Sequence, residues 1–173
     1  MGWAIFLRGA NVGGHRKFLP SAFAKELAEF DVVNLGAAGT FVARSEVSET
    51  RLRKAIVAKL PFETEVVIRP GVELEELLRS PPSLTPPPSS KLYLSILIAR
   101  ATRAPPLPLH VPNEPAWEVK VLEIRGRYAL SFARRLGDRL IYPNPVVERA
   151  FGVGATTRGW PTIVALGRIL EEG

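Results

Sequence analysis

Trp3-Ala4-Ile5-Phe6-Leu7 is a continuous apolar run closed by Arg8-Gly9, the pattern of a central strand buried on both faces. Pro20 suits the first turn of a helix, and Phe23, Leu27 and Phe30 follow it at helical spacing. Val32–Leu35 and Thr40–Ala43 read as two strands joined through the Gly36–Gly39 turn. Ser48 is placed to cap a second helix, with Glu49 near its positive end and Leu52, Ile56 and Leu60 on its apolar stripe. Glu65–Arg69 reads as the next strand, and Pro70-Gly71 leads into a short helix through Leu78. The resulting order, β-α-β-β-α-β, predicts an α+β fold. Its first half is ferredoxin-like, a four-stranded antiparallel sheet with helices on one face.

Residues 80–90 hold five prolines and no charge. Proline fixes φ and gives no ladder hydrogen bond, so this stretch predicts an extended linker between halves 1–79 and 91–173. Beyond it, Leu92, Leu94, Ile96 and Ile98 alternate as in a strand. Trp117, Val119 and Val121 form a second alternating set and Tyr128, Leu130 and Phe132 a third, with Arg125-Gly126 to turn the hairpin. Five prolines between Pro105 and Pro115 leave little room there for a counterpart of the first crossover helix. Val146–Phe151 predicts a short helix, and a last helix runs from about Trp160 to Leu170 within the second half. The second half is therefore a partial echo of the first, though no residue-level repeat establishes a duplication.

Composition narrows the function. The 173-residue chain has no cysteine, which excludes disulfides, thiol catalysis and thiolate metal sites. Its two histidines, His15 and His110, are far apart, and no cluster has metal-ligand spacing, so neither a metal nor another cofactor is expected. No apolar run is long enough to cross a bilayer and no signal peptide opens the chain, so the expectation is a cytoplasmic protein without membrane partners. The net charge of +6 lies mostly in residues 91–173, which carry +5 against +1 for residues 1–90. Such an excess favours anionic partners through long-range attraction.

The densest candidate chemistry is Arg8–Lys17, in which Gly9, Gly13 and Gly14 leave the backbone free to turn. Arg8, His15, Arg16 and Lys17 crowd one loop without a carboxylate. Gly9 and Gly14 have phosphate-loop spacing, but His15-Arg16 follow where Lys and Ser/Thr are required, so a nucleotidase of that class is rejected. Base stacking on the central strands, as in RNA-recognition domains, has only Phe6 and Phe41 to offer; both read as core. Arg125, Arg127, Arg134, Arg135 and Arg139 form a second basic group. They read as the solvated face of a sheet, with a nucleic-acid backbone surface as the alternative. Thr156-Thr157-Arg158 precede the last helix as a helix start that could attract negative charge.

Phe6-Leu7-Arg8-Gly9-Ala10-Asn11-Val12-Gly13-Gly14 resembles the "LLRGINVGG" signature of the bacterial family domain of unknown function 1697. Glu148–Trp160, ERAFGVGATTRGW, resembles that family's "ERALGVPATTRNW" segment. The resemblance implies an α+β fold of two related halves, and no activity. The chain departs from the pattern at Ala38-Gly39-Thr40, where Ser-Gly-Asn is usual. It departs again at Gly159, where asparagine is usual, and Pro161 after it predicts a later start for the final helix.

Together these features predict an uncharacterised protein that binds an anionic small molecule or nucleic acid. The candidate ligand-binding residues are Arg8, Asn11, Gly13, Gly14, His15, Lys17, Thr156, Thr157 and Arg158, provided that the two segments form one cationic pocket. One alternative is an enzyme acting on a phosphorylated or carboxylated small molecule, with His15 as acid/base. Another is a protein-interaction module in which both segments are structural. No catalytic set, cofactor or oligomeric state follows from the sequence.

Overall fold

The computed structural model describes residues 2–9, 18–138 and 141–173. The chain is mixed α+β and divides into two compact units, Met1–Pro81 with Thr162–Gly173, and Pro82–Pro161.

In the first unit, β1 (Trp3–Leu7), β2 (Val32–Asn34), β3 (Thr40–Ala43) and β4 (Val66–Pro70) form an antiparallel sheet of order β2-β3-β1-β4. This is the ferredoxin-like order: the first crossover carries β2 to the edge beyond β3, and the second returns β4 beside β1. The crossover helices are α1 (Pro20–Glu26), extended by a 3-10 turn over Ala28–Phe30, and α2 (Glu49–Lys59). Ser48 caps α2 as expected, its Oγ accepting from the Arg51 N–H at 3.3 Å. Ile5, Leu7, Phe41, Ala43 and Ile68 share a core with Phe23, Leu27, Phe30, Leu52 and Ile56 of the helical segments. The alternate positions Ala4, Phe6, Thr40, Val42, Val67 and Arg69 are buried too. Phe6 and Phe41 are both fully buried core residues, which removes any exposed stacking surface on the central strands.

The second unit repeats the plan. Strands β5 (Ser90–Leu97), β6 (Leu109–Val111), β7 (Val119–Arg125), β8 (Tyr128–Arg134) and β9 (Ala155–Gly159) form an antiparallel sheet of order β6-β7-β8-β5-β9. Without β6, the order β7-β8-β5-β9 matches that of the first sheet. A strand and a strap rich in proline stand where the first half has α1, because residues without an N–H cannot continue a helix there. Helix α4 (Pro143–Phe151) takes the place of α2. Thr102 and Arg103 of the strap both give their N–H groups to the Phe151 carbonyl, at 2.8 and 3.1 Å, closing the end of α4.

Registers show the repeat at the level of single residues. Arg69 on β4 faces Ala4 of β1, and Arg158 on β9 faces Leu94 of β5; across the same strands Ala4 pairs with Val42 and Leu94 with Leu130. Both arginines are buried, at 5% and 8% exposure. Each gives its Nη1 to the carbonyl of the residue before it, Ile68 at 3.0 Å and Thr157 at 2.9 Å.

Two expectations require correction. Thr156-Thr157-Arg158 do not start a helix: they lie inside β9, with Thr157 opposite Ser95 and Arg158 opposite Leu94. Helix α5 (Trp160–Glu172) follows directly and accepts Pro161 as its second residue, where an N–H would have no intrahelical partner. The second correction concerns the partner of α5, which was expected to belong with residues 91–173. Thr162–Gly173 instead belong to the first unit, and a Cβ on Gly2 or Gly71 would meet Leu170 Cδ2 at 2.8 or 2.7 Å. A Cβ on Gly167 would likewise meet Leu78 of α3 (Gly71–Arg79). Small residues at these points let the helix approach.

Candidate ligand site

The basic segment begins at the end of β1, the strand held between two neighbours. Leu7 gives its N–H to the Gly39 carbonyl at 2.8 Å on one side, and Arg8 gives its N–H to the Glu65 carbonyl at 3.0 Å on the other. The Thr64 hydroxyl donates to the Arg8 carbonyl. The Arg8 guanidinium pairs with the Glu65 carboxylate at 2.9 Å, with 35% and 49% of the two side chains exposed. Gly9 follows at φ +74°, a left-handed conformation that costs glycine little. Asn11, Gly13, Gly14, His15 and Lys17 lie outside the described residues. The chain resumes at Phe18, whose ring stands edge-on to Phe62, with centroids 5.3 Å apart.

Both described flanks of the segment therefore touch the connection between α2 and β4. That connection lines an open hollow of about 690 Å³, bounded by Val57, Leu60, Pro61, Phe62, Glu63 and Thr64. Sequence reading passed over it, since Pro61–Thr64 carry no motif. The signal was Val57, a large apolar residue off the buried stripe of α2 and 57% exposed.

The Thr156–Arg158 run is built into its own sheet. Thr157 Oγ1 donates to Asn144 Oδ1 at 2.8 Å, so the Ser95 hydroxyl, 2.6 Å away, donates to Thr157. Asn144 Nδ2 donates to Glu148 Oε1 at 3.2 Å, and the same oxygen receives the Ala155 N–H at 2.9 Å. A directed chain thus runs Ser95, Thr157, Asn144, Glu148 and fastens β9 to both β5 and α4. The Thr156 hydroxyl accepts from Arg158 Nη1 at 2.7 Å. Burial pushes the Arg158 guanidinium down to about 10, still charged at neutral pH. Sequence reading missed Ser95, Asn144 and Glu148. The clues were a polar residue in an apolar strand and an Asn/Glu pair four apart on a helix. Arg8 belongs to the first unit and Thr156–Arg158 to the second.

The second basic group has internal partners. Arg125 pairs with Glu123 at 2.6 Å, and Arg135 donates to the carbonyls of Gly137 and Asp138. Arg134 lies over the Trp117 ring at 3.9 Å and donates to the Trp117 and Pro115 carbonyls. Arg139 lies outside the described residues. Among the described residues, no group of three or more His, Asp or Glu could hold a metal ion, and no helix is long and apolar enough to cross a membrane.

No protein-family model matches the chain, and neither does any curated protein. Among solved structures, it is similar to a conserved bacterial protein from Streptococcus pneumoniae. The two are 17% identical with a TM-score of 0.65, over 98% of each chain. At that identity the likeness establishes the two-halved fold alone.

Proposed function

We propose that the protein binds an anionic ligand, a phosphate-bearing small molecule or nucleic acid, through the glycine-rich segment that starts at Arg8. The observation that carries this reading is the setting of Arg8. Its backbone is tied to β4, while its side chain meets Glu65 in a partly exposed pair. Solvent-accessible pairs of this kind contribute little, about 0–1 kcal/mol, so an incoming anion can compete with Glu65 for the guanidinium. Arg16 and Lys17 add positive charge to the same stretch of chain, whose glycines allow backbone conformations that can turn amides toward an anion. Thr156 and Thr157 spend their hydroxyls inside the second unit, so this reading gives β9 a supporting part and leaves binding to the amino-terminal segment.

The two matching segments and the two-halved fold also support placing the chain as a divergent member of the family domain of unknown function 1697. Absence of cysteine fits a reducing compartment such as the cytoplasm.

A titration of fluorescent single-stranded oligonucleotides and small phosphate compounds, repeated over a range of salt, tests the reading. Affinity is expected to fall steeply with salt, with a logarithmic slope of about −0.7 per oligonucleotide phosphate contacted. Arg8→Ala should weaken binding. Absence of binding to every phosphate compound at about 50 mM salt would overturn the proposal.

A further inference from the structure

Strand β2 is the outer strand of the first sheet and pairs with β3 on one side only. Leu35 gives its N–H to the Thr40 carbonyl at 2.8 Å, and Arg44 gives its N–H to the Asp31 carbonyl at 3.3 Å. Bonded and unbonded pairs alternate along an antiparallel ladder, so Val33 also turns its backbone groups to β3. Val32 and Asn34 therefore point their N–H and C=O groups outward, where they meet no partner among the described residues.

The same two residues line a groove of about 420 Å³ whose other wall is Ser21, Ala24, Lys25 and Ala28 of the α1 segment. Val32 and Asn34 lie on the helix-covered face of the sheet, opposite the core residues Ala43 and Phe41. Small side chains on the helical wall leave room for a chain to lie along β2. Asn34 Oδ1 is buried without a donor. Asp31, which also lines the groove, is held by Arg44, so the charge on offer is that of Lys25.

We propose that this groove binds an extended peptide segment of a partner protein, which adds a fifth strand to the first sheet beside β2. Another extended backbone satisfies an open strand edge, and the helix beside it gives alternate side chains a second wall. The segment carries a hydroxyl or amide donor opposite Asn34 and a carboxylate within reach of Lys25. A second copy of this chain fits less well. Pairing two β2 strands about Val33 would set each Asn34 opposite a valine, which has no side-chain donor for Oδ1. The proposal draws neither on Arg8 nor on anion binding.

Panning a displayed library of random nine-residue peptides against the full chain, then fluorescence polarisation with the selected peptides, tests it. Those peptides are expected to share a donor residue and an acidic residue. Bound peptide should slow hydrogen exchange at the Val32 and Asn34 amides and leave Val33, already bonded to β3, unchanged. Asn34→Pro removes the outward N–H and the side-chain acceptor, a change an edge strand tolerates, and should weaken binding about tenfold. Ala28→Gln narrows the groove from its exposed helical wall and should act likewise if a melting curve shows the proline variant misfolded. Failure to select any peptide would overturn the proposal. So would selected peptides that leave the Val32 and Asn34 amides unprotected, or that bind both variants as tightly as the wild type. A dimer of the free chain that these substitutions dissolve would also overturn it, assigning the edge to a second copy.

Discussion

Single residues in this protein act mainly by completing hydrogen bonds that the backbone leaves open. Glu148 Oε1 receives both the Ala155 N–H and the Asn144 amide. Glu148→Ala removes the acceptor from both donors and should cost about 1–3 kcal/mol in urea unfolding. Glu148→Gln keeps an oxygen there and should cost clearly less; equal losses would show that the charge, not the acceptor, matters. Asp31 illustrates a different duty. It sits at φ +51° and meets Arg44 through two contacts, 2.8 and 2.9 Å long. The Arg44 hydrogen bond holds its carboxyl below the ordinary carboxylate range, and the Arg44 charge adds to this. A depressed folded value means that the pair stabilises above the unfolded pKa, near 3.8, and that the contribution is lost as pH falls through the folded one. Asn tolerates the same left-handed backbone, so Asp31→Asn isolates the charge. The gap in melting temperature between wild type and this variant should narrow as pH is lowered past that range.

At the scale of elements, the helix starts and the edge strands follow different logic. Helix α2 begins where a local signal says it should, at a serine whose oxygen takes an otherwise orphan N–H. Ser48→Ala should cost about 1 kcal/mol and Ser48→Gly only a few tenths, measured by thermal unfolding. The edge strands β4 and β9 instead depend on the helix packed near them. Arg53 of α2 donates to the carbonyl of Val66, the first residue of β4, at 2.6 Å. Glu148 of α4 holds the N–H of Ala155, the first residue of β9. Each half thus uses a side chain from its second crossover helix to tie down an edge strand. Unpaired edges invite pairing with other chains, and such ties blunt them.

At the scale of the whole molecule, the chain is not divided at a single point. Helix α5 follows β9 of the second sheet, yet Thr162–Gly173 belong with the first unit. Leu170 lies against Gly2 and Gly71, and Leu78 against Gly167. Leu170→Ala should destabilise the first unit by about 2–4 kcal/mol. Hydrogen exchange should show the loss in β1, β4 and α3, with β5, β7 and β8 keeping their protection. Faster exchange spread evenly over both sheets would contradict this assignment.

Much of the architecture was legible in the sequence because it is encoded over a few residues at a time. Strands β1 and β3, helix α2 with its serine cap, and the β7–β8 hairpin around Gly126 each carry their own apolar period or turn residue. The ferredoxin-like order of the first half follows from those elements and the short connections between them. Strand β9 was not legible. Ala-Thr-Thr-Arg-Gly has no apolar alternation, and its state is decided by pairing with β5 and by Glu148, seven residues away. The partner of α5 was equally hidden, because an apolar stripe states that a helix must be covered without naming the surface that covers it. The candidate site divides in the same way. Composition marked Arg8–Lys17 as cationic, a property of the residues alone. The Glu65 partner of Arg8 exists only because the antiparallel pairing of β1 with β4 brings residues 57 positions apart into contact.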